Sequence, residues 1–225
     1  MTVLSTKILT LPQRSLLTNA NVGLVEYDAI QVSMMDFDLE KGALDIILSS
    51  KNAVNAFLDK LAHPKTQKRS DYRIYCVGEK TRAMLEKQHL EVVESGDKAS
   101  ELAKKLVDKH SNRNFLFLCG DKRRDELPTI LKQHSVAFKE LQVYKTRLCP
   151  KKFDRKFNGV LFFSPSAVVS HASLNTLAFT TAFCIGDTTG AVAREYTGSV
   201  IVANRPSIEN VLVQVIKKMN INGLG

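Results

Sequence analysis

Two stretches decide the fold: Ile46–Phe57, IILSSKNAVNAF, and Leu161–His171, LFFSPSAVVSH. Each starts as an apolar run, breaks at serine, and continues in small, helix-compatible residues. The apolar run reads as a buried strand, and the serine as the cap of a helix that follows. With Ser50 set over Ser164, Ala53 falls on Ala167. A second pair follows in the same order: YCVGEKTRAML from Tyr75 and FCIGDTTGAVA from Phe183. There Gly78 lies over Gly186, Thr81 over Thr189 and Ala83 over Ala191. The offsets are 114 residues for the first pair and 108 for the second. Two matched strand-to-helix corners in one order point to two βα domains of like fold. Coincidence is the competing reading, since strand–Gly–helix corners are common in α/β proteins.

Outward from these corners, short apolar runs alternate with amphipathic stretches. Strands are expected at KILTL, VGLVEYDAIQVS, LDIILS, YRIYCVG, LEVVES, NFLFLCG, FKELQVYKT, GVLFFS, TAFCIG and SVIVA. Helices are expected at Asn52–Leu61, Lys98–Lys109, Lys122–His134, Thr188–Tyr196 and Ser207–Met219, with Asp97 and Ser100 as caps of the second. Such alternation argues for βα units and parallel sheets, and the strands are too apolar to be half exposed.

The 225 residues suit one large domain or two small ones. Hydrophobic residues make up 44% and charged residues 24%, which supports a core without metal or disulfide staples. The formal net charge of +9 favours anionic partners, though a solvated basic surface is the plainer reading. The cysteines Cys76, Cys119, Cys149 and Cys184 form no CxxC pair and read as small buried hydrophobes of a reducing compartment. No two histidines have metal-ligand spacing, so no metal is expected. No run approaches the ~20 apolar residues needed to span a bilayer, and the N-terminus lacks a signal-peptide pattern, so the expected compartment is the cytoplasm.

Each corner sets helix-start amides just beyond a strand's carboxyl end, a ready place for carboxylate or phosphate. Ser49, Ser50, Ser164, Ser166, Thr81, Thr188 and Thr189 add hydroxyls, with Lys51 beside them. Taken singly, such residues are ordinary N-caps. Repetition on a basic chain shifts the reading towards anion binding. A third corner, CGDKRRDELP, offers Gly120 at the strand end and Arg123 and Arg124 at the start of the next helix. Arginine's planar fork matches carboxylate. Tyr144, in LQVYKTRL, ends a strand before a basic connection; its plainer reading is a half-packed aromatic. No GxSxG, HExxH, Walker or GxGxxG motif is present.

LSSKNAV, YCVGEKTRAML, CGDKRRDELP, VYKTR, FFSPSAV and CIGDTTGAVA, in this order and spacing, resemble the uroporphyrinogen-III synthase family over nearly the whole chain. The resemblance implies an α/β fold of two flavodoxin-like domains with parallel sheets, joined by a two-stranded linker. Residues 1–34 plus 147–225 would form the first domain and residues 35–146 the second, inserted between its halves. It implies cyclisation of hydroxymethylbilane, an octacarboxylate, to uroporphyrinogen III with loss of water and inversion of ring D. No cofactor is implied. Binding falls to Ser49, Ser50, Lys51, Gly78, Thr81, Gly120, Arg123, Arg124, Ser164, Ser166, Ala167, Gly186, Thr188 and Thr189. Tyr144 matches a linker tyrosine implicated as the acid for hydroxyl loss. Two positions depart from the family pattern. Ser49 stands for a threonine and keeps the hydroxyl. Gly190 stands for a small residue and is expected to loosen its helix start by about 1 kcal/mol.

The partner expected is hydroxymethylbilane, handed over from hydroxymethylbilane synthase, with no nucleic acid and no membrane, and the chain is expected as a monomer. Two other functions stay open: a non-catalytic two-domain binder of a small polyanion, and a nucleic-acid binder suggested by charge alone. The latter lacks basic–aromatic interleaving or a recognition motif.

Overall fold

The computed structural model describes residues 1–39, 44–62, 71–123 and 125–221, with side chains through 218. Arg124, one of the expected site residues, and His63 lie outside the described residues. The chain divides into two compact units, Met1–Gln31 with Arg147–Gly225, and Val32–Thr146. Each is an α/β layer structure.

The first unit holds β1 (Thr2–Ser5), α1 (Leu11–Asn19), β2 (Gly23–Glu26), β9 (Gly159–Phe162), α6 (Pro165–Ala172), β10 (Thr181–Cys184), α7 (Asp187–Arg194), β11 (Val200–Val202) and α8 (Ile208–Ile221). Its parallel sheet runs β2-β1-β9-β10-β11. Side chains alternate across a strand, so neighbours enter different cores. Leu4, Val160, Phe162, Ala182 and Cys184 pack with Ala167, Val168 and Ala193 of α6 and α7. Val3, Leu161 and Phe183 pack on the other face with Leu17 of α1 and Val211, Leu212 and Val215 of α8.

The second unit holds β4 (Leu44–Leu48), α2 (Lys51–Leu61), β5 (Tyr72–Val77), α3 (Glu79–Glu86), β6 (Val92–Gly96), α4 (Ala99–His110), β7 (Phe115–Gly120) and α5 (Glu126–Gln133). The short strand β3 (Ile30–Met34) and the long strand β8 (Phe138–Leu148) carry the chain in and out of it. Its sheet runs β3-β8-β7-β4-β5-β6, parallel from β8 to β6. Ile46, Leu48, Ile74 and Cys76 face Val54 and Phe57 of α2 and Leu85 of α3. Ile47, Tyr75, Phe115 and Phe117 face Leu102 and Leu106 of α4 and Leu127 and Leu131 of α5.

Numbered within each unit, the first sheet has the flavodoxin order 2-1-3-4-5 and the second has 3-2-1-4-5. The expected doubly wound parallel architecture therefore holds for both units, which differ from each other in strand order. Physically, the third strand, β6, extends the sheet beyond β5 instead of returning beside β4.

Several local expectations are also corrected. KILTL is no strand: β1 lies earlier, and residues 7–10 form a connection into α1. Thr10 and Gln13 build a capping box there, and Pro12 sits in the first turn. VGLVEYDAIQVS breaks into β2 and β3. The helix expected from Lys122 begins at Glu126, after Asp125. Neither Asp97 nor Ser100 caps α4; Lys98 occupies the cap position, and Glu101 Oε2 accepts the Asp97 N–H at 2.9 Å. Gly190 does more than loosen α7, because a Cβ there would lie 2.8 Å from Val202 Cγ2. Glycine lets α7 sit close on β11. All four cysteines are free, with Cys76, Cys119 and Cys184 buried. Among the described residues, no helix is long and apolar enough to cross a membrane, and no three His, Cys, Asp or Glu side chains gather as a metal site.

Candidate functional site

In an open α/β sheet, ligands bind beyond the carboxyl ends of the strands, where the winding reverses direction. In the second unit that switch point lies between β4 and β7, and in the first between β1 and β9. The serine corners follow β4 and β9, one at each switch point.

The two serine corners share their local geometry. Ser50 is extended (φ −148°, ψ 150°) and its Oγ accepts the Ala53 N–H at 3.1 Å. Ser164 is extended (φ −162°, ψ 157°) and its Oγ accepts the Ala167 N–H at 3.2 Å. The aligned alanines therefore supply the capped amides, and the cap fixes where each helix starts. Ser49, Ser50, Ser164 and Ser166 are part-exposed, Lys51 is exposed, and Ala167 is buried. Neither α2 nor α6 has an acidic residue in its first turn.

The glycine corners differ from these and from each other. Glu79 opens α3 and Asp187 opens α7, so each helix start carries its own countercharge. Gly78 has φ +89° and ψ 138°, a conformation close to glycine-only, and its N–H donates to Gly96 O at 2.8 Å. Gly186 has φ −173°, extended backbone open to any residue. Thr81 and Thr189 are buried in their first turns, while Thr188 is exposed.

The structure brings three of the expected residues into one cluster at the second unit's switch point. Gly120 ends β7, and a register shift between Cys119 and Gly120 sets it opposite Tyr144 of β8. The Tyr144 ring lies against the Gly120 backbone. A Cβ on Gly120 would come within 2.9 Å of the phenol oxygen and closer still to two ring carbons. The Tyr144 hydroxyl stands 3.1 Å from Ser50 Oγ. Thus Ser50, Gly120 and Tyr144 touch, although 94 residues separate the two hydroxyls in sequence.

Arg123 does not join them. Its Nε and one terminal nitrogen donate to the two Glu140 carboxylate oxygens at 2.6 and 2.7 Å, and the other pairs with Asp125. The fork that matched a ligand carboxylate is filled by a protein one.

Three further features complete the surroundings of the corners and of the core. The connection after β1 borders the first unit's switch point, with Lys7 exposed and Thr6 Oγ1 donating to Leu161 O at 2.6 Å. The Thr10–Gln13 capping box was the available signal for it. His171, buried in α6, has Nδ1 3.0 Å from the Tyr27 hydroxyl, among the rings of Phe153 and Phe162. Burial lowers its pKa to about 4 and pushes Tyr27 well above the usual tyrosine range. At the start of β4, buried Asp45 accepts a bidentate pair of bonds from Arg73 at 2.8 and 2.7 Å and one from Tyr75 at 2.9 Å. Burial alone would raise the Asp45 pKa, but these bonds and the charges of Arg73 and Arg113 bring it below the ordinary carboxylate value. This network lies at the strand end opposite the corners and serves the fold. Two open concavities of the second unit, about 490 and 330 Å³, share that opposite end, one around Ser135–Phe138 and one around Leu44, Phe115 and Lys139, and contain none of the corner residues.

Comparison with known proteins follows the same lines. A search of curated protein sequences returns no significant match. Among solved structures, the chain is similar to a uroporphyrinogen-III synthetase from Helicobacter pylori, with 20% identity, 96% of this chain and 98% of that one covered, and a TM-score of 0.72. It is also similar to a mutant uroporphyrinogen III synthase from Thermus thermophilus, with 13% identity, 98% and 99% covered, and a TM-score of 0.68. At such identities these likenesses establish the fold. The sequence profile described as Uroporphyrinogen-III synthase HemD, however, matches residues 32–212, which include the second unit's switch point and all four serine and glycine corners. That match spans most of the chain, and the protein belongs to the uroporphyrinogen-III synthase family.

Proposed function

We propose that this chain converts hydroxymethylbilane to uroporphyrinogen III with the two serine corners as carboxylate holders and Tyr144 as the proton donor for hydroxyl loss. Enzymes of this family cyclise hydroxymethylbilane in tetrapyrrole biosynthesis. The substrate carries eight carboxylates and closes by itself to the uninverted isomer. The enzyme's main task is therefore to fold and orient it, and the rate gain comes from restricted geometry. First-turn amides with no intrahelical acceptor suit that task, because they bind anions without moving.

The reading is carried by one observation: the Tyr144 hydroxyl sits beside the cap of α2, the helix start at the second unit's switch point. Of the four corners, the two whose helices lack a first-turn acid, those of α2 and α6, are the stronger anion sites. Ser49, Ser50, Lys51, Ser164, Ser166 and the Ala167 turn act there. Gly78, Thr81, Gly186, Thr188 and Thr189 take a lesser share, since Glu79 and Asp187 compete for the same amides. Arg123 reaches a substrate carboxylate only by leaving Glu140. Tyr144 protonates the ring A hydroxyl, the C–O bond breaks towards oxygen, and water leaves. The pyrrole nitrogen lone pair completes the azafulvenium, which the substituted carbon of ring D attacks. The chain works without a cofactor, as a cytoplasmic monomer that takes its short-lived substrate by hand-over from hydroxymethylbilane synthase.

The test is product analysis. Purified protein is mixed with fresh hydroxymethylbilane, the products are oxidised, and the isomers are resolved by chromatography. Isomer III in excess is expected; isomer I alone, at the rate of a protein-free blank, would overturn the reading.

A further inference from the structure

We infer that Ser50 is a positioning residue that ties Tyr144 to the start of α2 and supports the phenol oxygen as it loses its proton. The inference rests on the acid role of Tyr144 proposed above and adds a second residue to it. Ser50 Oγ already accepts the Ala53 N–H at 3.1 Å, so its own hydrogen needs another acceptor. Among the described residues, the neighbour at hydrogen-bond distance is the Tyr144 oxygen, at 3.1 Å. When Ser50 donates to that oxygen, the phenol's hydrogen is left to point away from Ser50, towards a leaving group. The chain of donors is then Ala53 N–H to Ser50 O–H to Tyr144 O–H. Each member strengthens the next, and the bond to a forming phenolate is charge-assisted. It is stronger in the transition state than before it, which is the condition for raising turnover and not merely affinity.

Atoms balance in this step. The phenol proton passes to the departing hydroxyl, water leaves, and the azafulvenium and the phenolate carry opposite charges. The proton returns to Tyr144 when the closed ring loses one on regaining aromaticity. Gly120 completes the arrangement. With no side chain it leaves room for the phenol end of the ring, whose Cε2 and Cζ occupy the space a Cβ would fill.

The matched corner supports a specific role. Ser164 makes the same cap with the same geometry, and among the described residues its hydroxyl has no tyrosine partner. The cap alone therefore does not account for the Ser50–Tyr144 contact.

Turnover of hydroxymethylbilane is measured for Ser50→Gly, Ser50→Thr, Tyr144→Phe and the Ser50→Gly/Tyr144→Phe double variant, after subtraction of spontaneous closure. Glycine is tolerated at an N-cap, so the fold is kept. Ser50→Gly is expected to lower kcat about 10-fold or more, with KM within about threefold, as for loss of part of an acid catalyst. Ser50→Thr, which keeps the hydroxyl, is expected to restore kcat to within about threefold. The double variant is expected to match Tyr144→Phe, because two residues acting as one unit do not lose twice. Full kcat in Ser50→Gly beside a slow Tyr144→Phe would overturn the relay and leave the acid standing. Full kcat in Tyr144→Phe would remove both. A change in KM alone would leave the Ser50 hydroxyl only its share in carboxylate binding, and additive losses in the double variant would leave it without a part in the acid's work; either result would overturn the relay.

Discussion

The two units repeat one corner and use it differently. Ser50 and Ser164 adopt the same backbone conformation and cap the amide three residues on. Past that point they diverge. The helix after Ser50 begins with Lys51, which has a backbone N–H and a cation; the helix after Ser164 begins with Pro165, which has neither. Ser50 touches Tyr144, carried in by a long strand from the far end of the second unit's sequence. The second matched pair diverges in the backbone itself, Gly78 at φ +89° and Gly186 at φ −173°. A shared corner is thus a scaffold property, fixed by capping chemistry. What makes one corner chemical is the neighbour that the sheet order brings to it. The order 3-2-1-4-5 puts β7 and then β8 beside β4, and so delivers Gly120 and Tyr144 to Ser50.

The units also bury different titratable groups, and acid should separate them. His171 in the first unit is neutral when folded, with a pKa of about 4 against an ordinary 6.5. Below pH 6.5 the unfolded chain takes up a proton that the folded one refuses. Stability of the first unit is therefore full above about pH 6.5 and falls as pH drops towards 4, by about 3 kcal/mol. Asp45 in the second unit has a lowered pKa, so its contribution is present above its unfolded value of 3.8 and is lost only as pH falls below that. Hydrogen exchange at pH 7 and pH 5, corrected for intrinsic rates, should show protection falling in β1 and β9 but not in β4 and β7. Equal loss in both sheets would contradict this. His171→Phe should flatten the response of the first unit.

The glycine corners give the next difference. In Gly78→Ala a Cβ has room, its nearest contact being Thr81 Oγ1 at 3.9 Å, so the cost is backbone strain of about 1–3 kcal/mol. In Gly186→Ala the backbone is permissive and nothing lies within 4 Å, so stability should change by less than about 0.5 kcal/mol. Urea unfolding of both variants checks the pair, and equal costs would void the distinction.

Ser50→Ala and Ser164→Ala should each cost about 1 kcal/mol of cap energy. Chemical denaturation that found one cap worthless would break the equivalence of the two corners. The smallest effect is expected for Gly190→Ala, where about 1 kcal/mol of helix propensity is offset by the contact with Val202. A net change near zero in thermal unfolding is the expected result.

Much of this was legible in sequence because capping is local. A serine followed three residues later by a small residue, after an apolar run, states where a strand ends and a helix begins. The alternation of strand residues between two cores is likewise written in the runs. KILTL misled because Leu9 is buried in a connection, so its apolar residue mimics a strand while Pro12 and the Thr10–Gln13 box mark the helix. Sheet order is set by crossovers that no local pattern encodes, and with it went the contact of Tyr144 with Ser50. Arg123 looked available because Glu140, its partner, lies 17 residues on, on the neighbouring strand. The Ser50–Tyr144 contact and the Arg123–Glu140 pair are tertiary facts, and they are what separates chemistry from capping here.

The central claim is that main-chain donors at the serine corners hold the substrate's carboxylates. It is tested most directly by titrating uroporphyrin III, a stable octacarboxylate, into ¹⁵N-labelled protein and following every assigned amide. The amides of Ser50–Ala53 and Ser166–Ala167 should shift most and together, with those of the glycine corners behind them. Shifts confined to exposed lysines and arginines away from the strand ends, such as those of Lys151–Lys156, would contradict it.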